Sequence, residues 1–224
     1  LGSALACRQR WPHQRELSRK IVHIGTGPVL PLAWLLQVPA SIAVPCAVVV
    51  TLIAFINHRW NLLPAVEDVG RNSYGTVAYG IAICLLLILF WANNPAAACA
   101  GVLVMAFGDG LAGLIGRAVP SPSWTILDQR KSIIGTTTMA LTSAVVLFAL
   151  VLITHNQLTP LRLVAVCMLA VGLEQMSKWG IDNLTVPLGV ALSWTWMTTS
   201  STLEKESCDL AQPCLSNSSG KLFQ

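Results

Sequence analysis

Residues 72–108 read NSYGTVAYGIAICLLLILFWANNPAAACAGVLVMAFG, without one Asp, Glu, Lys or Arg. A helix that crosses a bilayer needs about 20 mostly apolar residues, so this run holds two short spans divided at Asn93-Asn94-Pro95. Residues 21–58 and 132–161 are equally free of charge. Leu85-Leu86-Leu87-Ile88-Leu89-Phe90 and Ala47-Val48-Val49-Val50 do not alternate polar with apolar, as strands of a membrane barrel would. Helices are therefore expected. Composition agrees, because 54% of the 224 residues are hydrophobic and only 11% are charged, against about 25% charged in soluble domains. That excludes a water-soluble globule and a disordered chain. A net charge of +4 on so few charged groups also excludes a nucleic-acid partner.

The fold class expected is an all-α, polytopic integral membrane protein with about seven transmembrane helices (six to eight fit), several short or broken. Pro39 and the Asn93-Asn94-Pro95 break place the spans at 24–38, 40–56, 76–92, 96–107, 135–154, 163–173 and 184–198. Residues 1–20 form a basic arm, 21–198 one transmembrane domain and 199–224 a polar, Ser-rich tail expected to be disordered. Lys and Arg favour the cytoplasmic side. With the N-terminus inside, eleven of the fourteen basic residues fall there; Arg162, Lys205 and Lys221 are the others. Glu67, Asp68, Asp109, Asp128, Glu174 and Asp182 fall on the same side, more acids than bland loops need. Four cysteines in apolar runs (Cys46, Cys84, Cys99 and Cys167) read as small hydrophobes, and no CxxC suggests a metal site.

The densest motif is Phe107-Gly108-Asp109-Gly110-Leu111-Ala112-Gly113-Leu114-Ile115-Gly116-Arg117. Gly108 to Gly113 formally match GxGxxG, but a dinucleotide fingerprint needs a preceding strand, and an Ala-rich span precedes it. Helix packing through small residues explains the glycines, though not the acid. A carboxylate at mid-bilayer costs about 2.5–3.5 kcal/mol, so Asp109 should face a polar cavity or an ion. Gly108, Gly110, Gly113 and Gly116 can let backbone N–H groups approach phosphate, and Asp109 can hold Mg²⁺. Arg130, Lys131 and Ser132 are candidates for gripping phosphates, with Gly135 and Thr136 opening the next helix and Arg117 adding a planar fork. A plain membrane anchor is the other reading of that basic stretch. Arg71, Ser73 and Tyr74 follow Glu67-Asp68, and Glu174 ends an apolar run much as Asp109 does. Asp182 or Asn183 can serve chemistry or merely cap the last span. Near the start, Arg19, Lys20 and His23 enter the first span, with Arg19 and His23 on one helical face.

The chain resembles the phytol kinase branch of the dolichol kinase family, small membrane enzymes that phosphorylate isoprenoid alcohols with CTP. The likeness runs from about Glu16 to Leu188. It rests on Arg19-Lys20-x-x-His23, Arg71-x-Ser73-Tyr74-Gly75-Thr76, Gly108-Asp109-Gly110-x-Ala112-x-x-x-Gly116-Arg117, Lys131-Ser132-x-x-Gly135-Thr136 and Asp182-Asn183-Leu184-Thr185-Val186-Pro187. Pro120-Ser121-Pro122-Ser123 and Ile134 depart from the family pattern. The resemblance implies transfer of the CTP γ-phosphate to phytol or a similar prenyl alcohol drawn from the bilayer, with Mg²⁺ on Asp109. Lys131, Arg117 and Arg71 would neutralise charge, and Glu174 or Asp182 would accept the alcohol's proton. The expected location is a cyanobacterial plasma or thylakoid membrane, or a plastid membrane, with the site on the cytosolic or stromal side. A CDP-lipid-forming cytidylyltransferase and a small-anion transporter are the alternatives. No oligomeric state is implied.

Overall fold

The computed structural model describes residues 15–60, 74–127, 129–156 and 159–216. Helix α1 (Arg15–Thr26) gives way to α2 (Val29–Leu35) at Gly27-Pro28, where proline lacks the N–H needed to continue the ladder. Then come α3 (Ala40–Trp60), α4 (Gly75–Phe90) and α5 (Pro95–Leu103), a six-residue π-helical segment (Val104–Asp109) and α6 (Gly110–Ala118). A small antiparallel hairpin, β1 (Ser123–Ile126) and β2 (Gln129–Ser132), leads into α7 (Ile133–Thr154), α8 (Pro160–Gln175) and α9 (Asp182–Ser216).

The helix starts are written in local chemistry. Asn94 accepts from the Ala97 N–H at 3.2 Å ahead of Pro95, Ser132 from Gly135 at 3.1 Å, and Thr159 from Arg162 at 3.4 Å ahead of Pro160. Each side chain satisfies an orphan donor of the first turn, and proline at that position loses nothing.

The protein is an all-helical membrane protein. Ala40–Trp60, Pro95–Ala118 and Ile133–Thr154 are long and apolar enough to cross a bilayer, and Gly75–Phe90 is a shorter apolar helix. The rod at 95–118 is central, with 67% of its apolar window buried against 6% for α3. Its alanines face α9 through Val186, Val190, Ala191 and Trp194, and α7 through Met139 and Leu147. One end of the bundle is tied by Trp91 Nε1 donating to the Val38 carbonyl at 2.8 Å and by Asn94 Nδ2 donating to Thr195 Oγ1 at 3.4 Å. The motifs gather at the other end.

Four features differ from the sequence reading. The first expected span, 24–38, is broken at Gly27-Pro28 into α1, which begins at Arg15 within the expected basic arm, and the seven-residue α2. The fourth span does not stop at Phe107; the helix continues through the π segment and α6 to Ala118, so Asp109 lies inside a continuous rod. The all-helical expectation missed the hairpin, whose strands pair Ser123 with Ser132 and Ile126 with Gln129. Helix α9 runs on to Ser216, into the stretch read as a polar tail.

Close approach of α5 and α9 depends on Gly101, since a Cβ there would overlap the Pro187 carbonyl oxygen. Backbone cannot yield as a flexible side chain can, and overpacking typically costs about 1–3 kcal/mol. Gly101→Val is therefore expected to lower the melting temperature of the detergent-solubilised protein, whereas Gly172→Ala, with nothing within 4 Å of the added carbon, leaves it nearly unchanged.

Candidate active site

Three distant segments meet at one end of the bundle. Helix α1 places Lys20 and His23 three residues apart, hence on one face, against the π segment that carries Asp109. Lys20 Nζ donates to Asp109 Oδ2 at 2.5 Å and to the Asp109 carbonyl at 3.2 Å. His23 Nε2 stands 3.7 Å from the same Oδ2. Asp109 Oδ1 receives no hydrogen bond among the described residues. The space for Lys20 comes from Gly113, where a Cβ would come within 2.8 Å of Lys20 Cε.

The second pair comes from the hairpin. Lys131, on β2, donates to Glu174 Oε1, to the Glu174 carbonyl at 2.8 Å and to Ser177 Oγ at 3.0 Å. These bonds use all three ammonium donors and fasten the hairpin to the end of α8. Gln175 continues the tie, donating to Thr136 Oγ1 at 2.9 Å and accepting from Trp124 Nε1 at 3.3 Å. Behind it, α6 and α7 touch through glycines, since a Cβ on Gly116 would lie 3.0 Å from both Gly135 Cα and Ser132 Oγ.

Asp182, the first residue of α9, completes the set. Gly180, at φ 86°, adopts the left-handed backbone that turns the chain into this helix. Asp182 is 8% exposed, accepts from Asn183 Nδ2 at 3.5 Å, and has no cation at salt-bridge distance among the described residues. Standing before the apolar part of α9, its carboxyl is pushed up to about 6, first by burial and then by the negative charge of Asp109, with Lys131 and Lys20 opposing.

Apart from Trp124 and Gln175, which stand behind it, these groups line one cavity of about 1360 Å³. Among the described residues Arg19, Lys20, Arg117, Arg130 and Lys131 line it together with Asp109, Glu174 and Asp182, five cations against three carboxylates, a surplus that suits a polyanion. Of the residues singled out in the sequence, His23, Gly113, Gly116, Ser132, Gly135, Thr136 and Asn183 also line it. Gly108 and Gly110 lie off it; added carbons there would meet Met139 and Ile24 on neighbouring helices. Tyr74 is more than half exposed, its ring 4.5 Å from that of His58, and does not line the cavity. Arg71, Ser73, Glu67, Asp68 and Asp128 lie outside the described residues. Sequence reasoning missed Ser177, Gln175 and Tyr79, all buried or half-buried at the site. For Tyr79 a signal existed, since the chain has only two tyrosines and this one interrupts an apolar helix.

Over 190 residues the chain is 42% identical to a phytol kinase of Synechocystis sp., covering 81% of this chain and 82% of that protein. It is 26% identical to a probable chloroplastic phytol kinase of Triticum aestivum and 27% identical to phytol kinase 1, chloroplastic, of Arabidopsis thaliana. Each of these alignments spans 202 residues, 80% of this chain and 66% of the relative. No protein-family model matches the chain, and no solved structure matches it. The likeness to the Synechocystis enzyme extends over about four fifths of each chain, and the chain belongs to the phytol kinase family.

Proposed function

We propose that this protein transfers the γ-phosphate of CTP to the hydroxyl of phytol, giving phytyl phosphate and CDP, at the cytosolic or stromal face of a cyanobacterial or plastid membrane. The observation that carries the reading is the convergence of Lys20–Asp109, Lys131–Glu174 and Asp182 on one cavity whose other wall is apolar. Such a vessel takes a triphosphate at one end and a hydrocarbon at the other.

Phosphoryl transfer needs little covalent help from the protein; positioning and charge neutralisation dominate. Lys131, Arg117 and Arg130 face the space where the phosphates would lie. Among the described residues no three His, Cys, Asp or Glu side chains form a metal cage. Mg²⁺ does not require one, since it is usually held by one or two carboxylates together with phosphate oxygens and water. Asp109, with Oδ1 open, fits that role, and the ion would supply electrostatic stabilisation of the phosphate oxygens. Glu174 is committed to Lys131. Asp182 has no such partner among the described residues, so it is assigned as the carboxylate that takes the alcohol's proton.

That assignment predicts a pH dependence. Asp182 must be ionised to accept a proton, and its carboxyl is raised to about 6. The profile of kcat/KM, which reports the free enzyme, is expected to climb about tenfold per pH unit below 6 and to level above it. Asp182→Asn should abolish the climb together with most of the activity. Persistence of the same limb at undiminished activity in that variant would remove Asp182 from this role.

The overall reading is tested by incubating membranes containing the protein with γ-labelled CTP and phytol, farnesol, geranylgeraniol or dolichol in parallel. Label in the lipid extract with release of CDP is expected. Release of pyrophosphate would point to a cytidylyltransferase, and nucleotide-independent uptake of anions into vesicles to a transporter.

A further inference from the structure

The cavity does not end at the charged groups. Toward α3 and α4 it is bounded mostly by the apolar side chains of Val50, Ile53, Ala54 and Ile83, with Val22 of α1 beside them and Thr51 and Asn57 between them, none of which carries the charge a nucleotide phosphate calls for. Val50 and Ile53 line the cavity and are 65% and 54% exposed. Exposure that high on an apolar, membrane-spanning helix leaves this side of the cavity thinly covered by the neighbouring helices. Both residues lie in the middle third of Ala40–Trp60, at bilayer depth. Helix α3 is the least buried of the three long spans, and its main packing partner is α4.

Where the apolar and charged parts meet, two buried polar atoms have no hydrogen-bond partner among the described residues: Tyr79 Oη and His23 Nε2. Their rings are in contact, with centroids 4.3 Å apart, and both residues line the cavity. Thr26 lies beside Tyr79; its hydroxyl donates to the His23 carbonyl at 2.7 Å, and no hydrogen bond reaches Tyr79 Oη among the described residues. Leaving a buried polar atom unsatisfied costs about 1–3 kcal/mol. Two such atoms, on stacked rings of residues that line one cavity, are more economically explained by a ligand that satisfies both once the rings turn slightly toward it.

We infer that Tyr79 Oη and His23 Nε2 form the subsite for the acceptor's hydroxyl, and that the acceptor's chain lies in the apolar part of the cavity, entering laterally from the bilayer between α1 and α3. A primary alcohol on a long hydrocarbon matches both features. Its oxygen has one hydrogen and two lone pairs, enough to engage the two polar atoms, and its chain fills the slot lined by Val50, Ile53 and Ala54. A free sugar or amino acid has no use for the slot, and a nucleotide has no use for the lateral opening. This inference rests on the kinase reading and assigns its acceptor side, adding Tyr79 as a binding residue and α3 as the wall that selects the chain.

The test separates acceptor from donor. In detergent–lipid micelles with saturating CTP, Tyr79→Phe is expected to raise the KM for phytol about two- to tenfold, the loss of one hydrogen bond, with the KM for CTP unchanged. Ala54→Trp fills the slot and should raise the KM for phytol at least tenfold while affecting the ten-carbon alcohol geraniol much less. Phytol should protect a cysteine introduced by Ile53→Cys from a membrane-permeant maleimide. The inference is overturned if Tyr79→Phe leaves the phytol KM unaltered, as a merely structural tyrosine would, or if Ala54→Trp impairs both alcohols and CTP alike. Absence of phosphorylation of every prenyl alcohol by the wild-type protein would be a different failure, that of the kinase reading itself, and the acceptor subsite would fall with it.

Discussion

Asp109→Asn is expected to lower phytol-dependent turnover by about 10³-fold, some 4 kcal/mol of barrier at 1.36 kcal/mol per decade. Asparagine keeps the size and one oxygen but loses the charge that would hold a divalent cation against the triphosphate. The same change has a structural consequence that must be separated from the catalytic one. Lys20 is 7% exposed, and its ammonium is balanced by Asp109 Oδ2 at 2.5 Å. Breaking a buried pair by removing one partner costs about 3–5 kcal/mol, because a charge is left uncompensated. Asp109→Asn should therefore also be less stable and less abundant in membranes. The double variant Asp109→Asn with Lys20→Met removes both charges and should recover much of the stability without recovering turnover. Activity per folded molecule, measured beside thermal stability in detergent, distinguishes the two effects. Wild-type turnover in the double variant would show that the pair only holds α1 against the central rod.

The sequence disclosed the helices more fully than the way they meet. Charge-free runs broken at Pro39 and Asn93-Asn94-Pro95 were enough to place α3, α4, α7 and α8 within a few residues, because proline and a capping asparagine act locally, but not the break at Gly27-Pro28 or the far ends of the rod at 95–118 and of α9. The continuation through Asp109 was not legible. Two glycines and an acid read as the end of a span, yet the acid is compensated by a lysine 89 positions earlier, and no local rule reports such a partner. The hairpin was hidden for a related reason. Ser-Trp-Thr-Ile and Gln-Arg-Lys-Ser are four residues each; Trp124 and Ile126 alternate with polar residues over too short a run to read, and Gln-Arg-Lys-Ser carries no apolar face at all, so only their pairing and the hydrogen bond from Trp124 to Gln175 make them strands of this fold. Within the site, the charged residues announced themselves by being costly in a membrane. The glycines did not announce their separate duties: Gly113 and Gly116 admit Lys20 and the start of α7, while Gly108 and Gly110 pack against Met139 and Ile24. Tyr79 was passed over because a lone tyrosine in an apolar helix is ordinarily core, and its unsatisfied hydroxyl exists only once α1 is folded against α4.

Lys131→Met is the second variant from which a large loss is expected, about 10²-fold in kcat with a raised KM for CTP. Lys131 combines two jobs in one ammonium. It faces the cavity as a cation, and through Glu174 and Ser177 it fastens β2 to the end of α8. The two jobs predict different companions. If the tie were the whole of its contribution, Glu174→Gln would reproduce the loss, because it removes the ionic part of that tie and leaves Lys131 in place. If the charge acts on the phosphates, Glu174→Gln should cost far less, no more than about tenfold, since it frees positive charge toward the nucleotide instead of deleting it. Lys131→Arg sharpens the distinction. It keeps the charge, but a planar fork cannot reproduce three donors spread around a compact ammonium. Partial rescue of the CTP KM by Lys131→Arg, with thermal stability still reduced, would assign the charge to the nucleotide and the geometry to the hairpin. Equal losses in Lys131→Met and Glu174→Gln, with the KM for CTP unmoved in both, would instead make Lys131 a clasp and leave the phosphates to Arg117, Arg130 and Lys20.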